Sequence, residues 1–345
     1  MLLFQIRTVD SEGSIGSSFR AGLGQDPNFR FLTNLISSFP TIEQERLQSI
    51  SSGSNIPRNQ ACLSIPAHFA RAQQLFDSLH LSHSNRSEIV LNLAYGISVL
   101  GESRMLQMHQ DLGITYFLRY SPQTLNAAYS TLTSTSDSRP LLLIAANQND
   151  YSGAFYQSSR EFESLTSGYR VIITEASSKS QLFENTRFVA RRCGPIDTAF
   201  FCGHGSQDSI LLGAEETVRT PAVSGGILDF FAPQNGPSSN ARLNLSDRNE
   251  LISELGSGVF TRAPTFVLFA CSTARGTNDV FMESDSIALM LSEAFNARTF
   301  APTRVSFPAL DLSFDFNGRL RNVRFFPGGG SEILSGIPRR VLDDL

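Results

Sequence analysis

The chain predicts an α/β fold: a mainly parallel sheet flanked by helices, preceded by a mainly α-helical N-terminal part. Three observations carry that reading. From Leu141 onward short apolar runs alternate with helical stretches, the pattern of strands joined by helical crossovers. Before about residue 135 apolar residues recur at spacings of three and four, the period of an amphipathic helix. Between the two lies Thr131 to Pro140, a polar segment that ends in proline and reads as a domain boundary.

In chain order, residues 1–30 read as a flexible segment, because residues 8–26 are rich in Ser and Gly and poor in large apolar groups. Residues 31–135 read as a helical domain, with helical spacing at Phe31 to Ile36, Phe69 to Leu79 and Ile89 to Leu100. Ser121-Pro122 starts a further helix, with serine as N-cap and proline at the first position. In the α/β part, residues 139–326, strands are expected at 141–146, 169–174, 197–202, 264–270 and 298–301. Helices are expected at about 155–167, 179–193, 247–256 and 284–295. Leu310 to Phe316, Asn317-Gly318 and Arg319 to Phe326 read as a β-hairpin with a type I′ turn. Gly328-Gly329-Gly330 then reads as a flexible exit into a tail at 327–345, since neither a helix nor a Lys-Ser/Thr pair follows to make a phosphate loop.

Composition narrows the function classes. With 345 residues and 41% hydrophobic residues the chain has material for a sizeable core and two domains. A formal charge of −4 supplies no general attraction to nucleic acid or anionic membrane. Val90 to Leu100 is too short to span a bilayer, and Met1 to Ile6 is too short an apolar run for a general secretory signal. Cys62, Cys193, Cys202 and Cys271 show no C-x-x-C spacing, so neither a zinc site nor a disulfide framework is expected. His80 and His83 stand three apart without an acidic or cysteine partner, and no metal or cofactor is assigned.

The chemistry concentrates in two tripeptides. Gly203-His204-Gly205 follows the apolar run ending at Phe201-Cys202, and Ala270-Cys271-Ser272 follows Phe266 to Phe269. Each sets a reactive side chain where a buried strand empties into a loop, the place where open α/β sheets build their sites. A thiol with a pKa near ~8.5 is only slightly ionised at neutral pH, and a neighbouring imidazole serves as its base or ion-pair partner. His204 and Cys271 are therefore the candidate catalytic pair, with the N–H groups of Gly205 and Cys271 as a candidate oxyanion hole. Taken singly, Cys271 also reads as a buried thiol and His204 as a loop histidine; their joint placement after two apolar runs favours the pair. No G-x-S-x-G elbow occurs, which argues against a serine esterase.

An apolar strand, His-Gly, a 67-residue spacing and a second strand ending in Ala-Cys together resemble the caspase-hemoglobinase (clan CD) cysteine peptidases. Leu141 to Ala146 running into Asn147 to Ala154, Ser286-Ile287-Ala288, and Ala297 to Thr303 add to the likeness. Phe269-Ala270-Cys271-Ser272-Thr273 is closer in style to CHAT-like and bacterial toxin self-cleaving domains than to the Gln-Ala-Cys-Arg-Gly of caspases. The resemblance implies a caspase-like domain at 139–326, a Cys-His dyad needing no third orienting residue, and a cysteine endopeptidase acting on protein or peptide substrates. It further implies activation by a host protein, a small ligand or self-cleavage. Because metacaspase-like relatives carry an acid in the loop after the first strand, the resemblance nominates Asp150 for binding a basic substrate residue, with Asp208 and Asp229 as rivals. The turn-rich stretch 213–246 is expected to wall the cleft or to be cut, with Arg219, Arg242 and Arg248 as cleavage points if basic residues are preferred. The competing reading is an idle caspase-like scaffold that binds host proteins through its helices.

One compositional feature stands apart. Of the 28 basic side chains a single one, Lys179, is lysine. Arginine keeps the charge but carries no amine for ubiquitin or acetyl transfer. The expected setting is the cytoplasm, or the cytosol of a host cell into which a bacterial effector is delivered.

Overall fold

The structure is a computed structural model that describes residues 58–79, 86–120, 122–134, 136–148, 165–213, 240–270, 286–302, 322–325 and 331–334. Contacts divide the chain into two compact units: Met1–Gln110 with Ile114–Tyr129 and Tyr151–Ser164, and Asp111–Gly113 with Ser130–Asp150 and Leu165–Leu345.

The described elements of the first unit are helical: α1 (Arg58–Ser78), α2 (Arg86–Leu100), α3 (Glu102–Leu112), a 3-10 turn (Phe117–Arg119) and α4 (Pro122–Thr133), the last two helices running on past the unit's edge. Ile89, Leu93, Met105, Met108, Ile114 and Phe117 are fully enclosed and form its core. Gly96 lets α2 approach closely, because a Cβ there would overlap the side chains of Met105 and Phe117. The helix expected at Phe31 to Ile36 lies outside the described residues.

The second unit holds a seven-stranded sheet. Its strands are β1 (Leu141–Asn147), β2 (Arg170–Ala176), β3 (Ile196–Cys202), β7 (Phe260–Phe269), β8 (Arg298–Pro302), β9 (Asn322–Phe325) and β10 (Ser331–Leu334), in the spatial order β10-β9-β8-β7-β3-β1-β2. The five from β2 to β8 are parallel, and β9 and β10 add an antiparallel edge. All seven residues of β1 are buried, as a central parallel strand covered on both faces requires. The five strands expected from the apolar runs are the five parallel ones. The mainly parallel sheet is thus observed.

Helices α5 (Lys179–Cys193), α6 (Arg248–Leu255) and α7 (Ile287–Phe295) correspond to three of the four expected. Packing of α5 on β1 and β2, of α7 on β7 to β9, and of α6 against both helices makes them one layer on one face. Handedness accounts for this: β2 to β3, β3 to β7 and β7 to β8 all step the same way across the sheet, and right-handed crossovers then lie on a common face. The helix read at 155–167 falls almost wholly outside the described residues. Phe260, Phe266 and Phe295 meet edge to face at 5.1 to 5.5 Å and join α7 to β7.

Two readings change. Ser331–Leu334 is no tail but a strand paired antiparallel with β9, while Gly328-Gly329-Gly330 lies outside the described residues. Four residues are too few for a periodic signal, and sheet pairing selects them. Asn322–Phe325, the end of the expected hairpin, pairs with β8 and β10, while its partner arm at 310–316 lies outside the described residues. The polar boundary before Pro140 is tethered within the second unit. Arg139 donates to Asp137 and to the Thr166 carbonyl, and its hydrogen bonds hold the Asp137 carboxyl down at about 2.

Candidate active site

Strand order locates the site. The chain passes from β1 outward to β2, then returns to place β3 on the other side of β1. That reversal makes the carboxyl ends of β1 and β3 a topological switch point, the general ligand position in open α/β sheets. Asn147, fully buried, ends β1 there, and Gly203-His204-Gly205 leaves β3 beside it.

His204 lies on a structured ribbon. β4 (His204–Gly205), β5 (Ser209–Leu211) and β6 (Arg242–Asn244) make a small antiparallel sheet, with His204 opposite Leu211 and Gly205 opposite Ile210. Gly203 permits the sharp entry, since a Cβ at that position would strike the Leu211 carbonyl oxygen. Asn147 donates through Nδ2 to the same carbonyl at 3.3 Å, tying the end of β1 to the ribbon. His204 is half-buried, while Gly205 is buried.

The ladder sets the direction of the Gly205 amide. Ser206 N–H donates to the Ser209 carbonyl at 2.9 Å, making these residues a hydrogen-bonded pair. Hydrogen-bonded and non-bonded pairs alternate in an antiparallel ladder, so Gly205 and Ile210 form a non-bonded pair. The Gly205 N–H therefore points to the side of β4 away from β5, as an oxyanion donor must.

The strand leading to Cys271 runs alongside. Cys202 is in register with Phe269, and the Gly203 N–H donates to the Phe269 carbonyl at 3.1 Å. β7 ends at Phe269, followed by Ala270; Cys271, the next residue, lies outside the described residues. The chain is described again at Ser286, and the Ile287 N–H donates to the Gln207 carbonyl at 3.0 Å. Phe269 and Ile287 are thus bonded to Gly203, just before β4, and to Gln207, in the turn after it. Ser286 caps α7 by accepting from the Leu289 N–H at 3.2 Å.

Of the three acids nominated for substrate binding, Asp208 is described and Asp150 and Asp229 are not. Asp208 accepts from Ser206 Oγ at 2.6 Å, Ser206 Oγ accepts in turn from Ser209 Oγ at 2.8 Å, and Ser209 Oγ accepts from Arg242 Nη1 at 3.4 Å. The carboxylate closes the 206–209 turn that joins β4 to β5. Arg242 and Arg248, considered as cleavage points, sit in β6 and at the start of α6, and a protease needs extended chain rather than paired strand or helix. Arg219 lies outside the described residues.

Sequence reasoning missed the device that anchors the ribbon. Lys179 Nζ lies 2.8 Å from Asp247 Oδ1 and 2.6 Å from Glu250 Oε2, and the lysine side chain is 9% exposed. Asp247 also accepts from the Asn244 N–H at 2.8 Å, so the lysine's partner fixes the end of β6. The Lys179 N–H donates to the Asn240 carbonyl at 2.6 Å, pinning the chain where β6 begins. A lone lysine at the start of a helix, where a cation is disfavoured, was the available signal.

No known family model, curated protein or solved structure matches this chain. Among the described residues no helix is long and apolar enough to cross a membrane, and no group of three or more His, Cys, Asp or Glu could hold a metal ion.

Proposed function

We propose that the chain is a caspase-like cysteine endopeptidase with His204 and Cys271 as its dyad. The supporting observation is that Phe269 and Ile287, described residues on either side of 271–285, bond to Gly203 and Gln207, which bracket His204 in the chain. Proximity of nucleophile and base is the first requirement of covalent acyl transfer. In the reaction, the Cys271 thiolate attacks the scissile carbonyl carbon and the oxygen takes the negative charge. The N–H groups of Gly205 and Cys271 hold that oxyanion. Collapse of the adduct breaks the C–N bond, and protonated His204 delivers its proton to the departing amine. Water, deprotonated by His204, then cleaves the thioester and releases the acid with regeneration of the thiol. A partner, small ligand or self-cleavage acts as activator, and the setting is cytosolic, in a host cell if the chain is an effector.

The test is intact-mass analysis after treatment with acyloxymethyl ketone peptides carrying Arg, Asp or Leu next to the reactive carbon, with and without eukaryotic lysate. One adduct on Cys271, lost in Cys271→Ala and at least tenfold slower in His204→Ala, is expected. Folded protein that takes no adduct under any condition overturns the reading in favour of the idle scaffold.

A further inference from the structure

We propose that this chain is adapted to resist lysine-directed ubiquitin transfer, by carrying its exposed positive charge on arginine and enclosing its single lysine. Twenty-seven of its 28 basic residues are arginine. Arginine matches lysine in charge but has no amine to accept an acyl group. Base composition gives a poor account of the bias. Lysine codons are rich in A and T, but so are those of phenylalanine, isoleucine and asparagine, and phenylalanine alone occurs 27 times.

The surviving lysine supplies the structural half of the argument. Lys179 is 7% exposed and holds Asp247 and Glu250 on one compact ammonium, at 2.8 and 2.6 Å. Its own N–H is bonded to the Asn240 carbonyl and its helix is capped by Ser178, which fixes the backbone from which the side chain reaches. A planar guanidinium is larger and needs a flat fork of acceptors, so arginine is a poor replacement at this position. Lysine is kept where arginine does not fit, and there its Nζ is paired with the buried Asp247 and with Glu250 at the surface. An incoming thioester would have to draw the Nζ of this side chain, which is 9% exposed, out of both ion pairs to reach it. The partner avoided is a ubiquitin-conjugating system, which places the working environment in a eukaryotic cytosol. The inference holds whether or not a peptide bond is the substrate.

The experiment follows the full chain, carrying a lysine-free tag, in a eukaryotic lysate with and without a proteasome inhibitor. It is compared with a triple variant, Arg104→Lys, Arg191→Lys and Arg262→Lys, at exposed positions where the charge is retained. Equal melting temperatures establish that folding is unchanged. The expected result is that the wild type gains no ubiquitin and decays at a rate the inhibitor does not alter. The triple variant is conjugated at the new lysines, and its half-life falls at least threefold and is restored by the inhibitor. Ubiquitin on native wild-type protein overturns the proposal, as does a triple variant that decays at the wild-type rate. In a parallel arm, Lys179→Arg is expected to lower the melting temperature; an unchanged melting temperature removes the reason for retaining lysine and overturns the proposal as well.

Discussion

The Gly203 N–H donates to the Phe269 carbonyl at 3.1 Å, extending the parallel ladder between β3 and β7 one residue past the end of β3. This bond makes the entry to the His204 turn continuous with the strand that leads to Cys271. The residue making it has to be glycine, because the Leu211 carbonyl occupies the space a Cβ would need. Gly203→Ala is expected to cost about 1–3 kcal/mol, as over-packing does. It is also expected to abolish adduct formation at Cys271 by displacing β4. Urea unfolding and probe labelling on the same preparation check both; a variant with wild-type stability and labelling removes Gly203 from the account.

Lys179 and Asp247 form the buried pair on which β6 is anchored. Lys179→Met leaves a carboxylate enclosed without its cation, a change of about 3–5 kcal/mol for buried pairs. Adding Asp247→Leu to that variant is expected to return a large part of the loss, measured as a double-mutant cycle. Burial opposes the charge on Lys179, but its bonds to Asp247 and Glu250 outweigh this and raise its pKa. A raised cation stabilises the fold fully below the unfolded value of ~10.4 and loses the effect as pH rises through the folded value. The stability gap between wild type and Lys179→Met should therefore be constant from pH 6 to 9 and narrow only in strongly alkaline solution.

Cys193 provides an internal reference for thiol reactivity. Burial pushes its thiol up from the ordinary value, against the pull of Arg170 and Arg192, and its Sγ lies 3.6 Å from the Thr131 carbonyl. At neutral pH it should be alkylated at least tenfold more slowly than Cys271, because the thiolate is the reacting species. Peptide mapping after limited iodoacetamide treatment gives the ratio; faster reaction at Cys193 argues against an activated Cys271.

Thr299 is fully buried on β8, in register with Phe266 and Phe325, and among the described residues its hydroxyl has no hydrogen-bond partner. An unpartnered buried hydroxyl costs about 1–3 kcal/mol relative to an apolar group of the same shape. Thr299→Val is expected to be neutral or to stabilise by up to ~1 kcal/mol, raising the melting temperature. A clear loss of stability shows that the hydroxyl is satisfied in solution.

Much of the second unit was legible in the sequence. Runs such as Leu141 to Ala146 and Phe266 to Phe269 are apolar on successive residues, which only strands covered on both faces tolerate, and the helices between them carry their own period. His204 and Cys271 stood out because each follows such a run. Ser209 to Leu211, Arg242 to Asn244 and Ser331 to Leu334 are strands of three or four residues, too short to show a period, and their pairing partners decide them.

What the sequence by itself determined is the set of five parallel strands, the helices that pack on them, and the chemical types available at the strand ends. Those follow from local periodicity and burial, which each segment carries within itself. Only the tertiary structure decided the order in which the strands lie, and with it the switch point between β1 and β3. It alone decided the direction of the Gly205 N–H, the engagement of Asp208 in its own turn, and the enclosure of Lys179 by Asp247 and Glu250, 68 and 71 residues further along the chain. These are relations between distant residues, and no local preference encodes which carboxylate meets a given ammonium once the chain has closed.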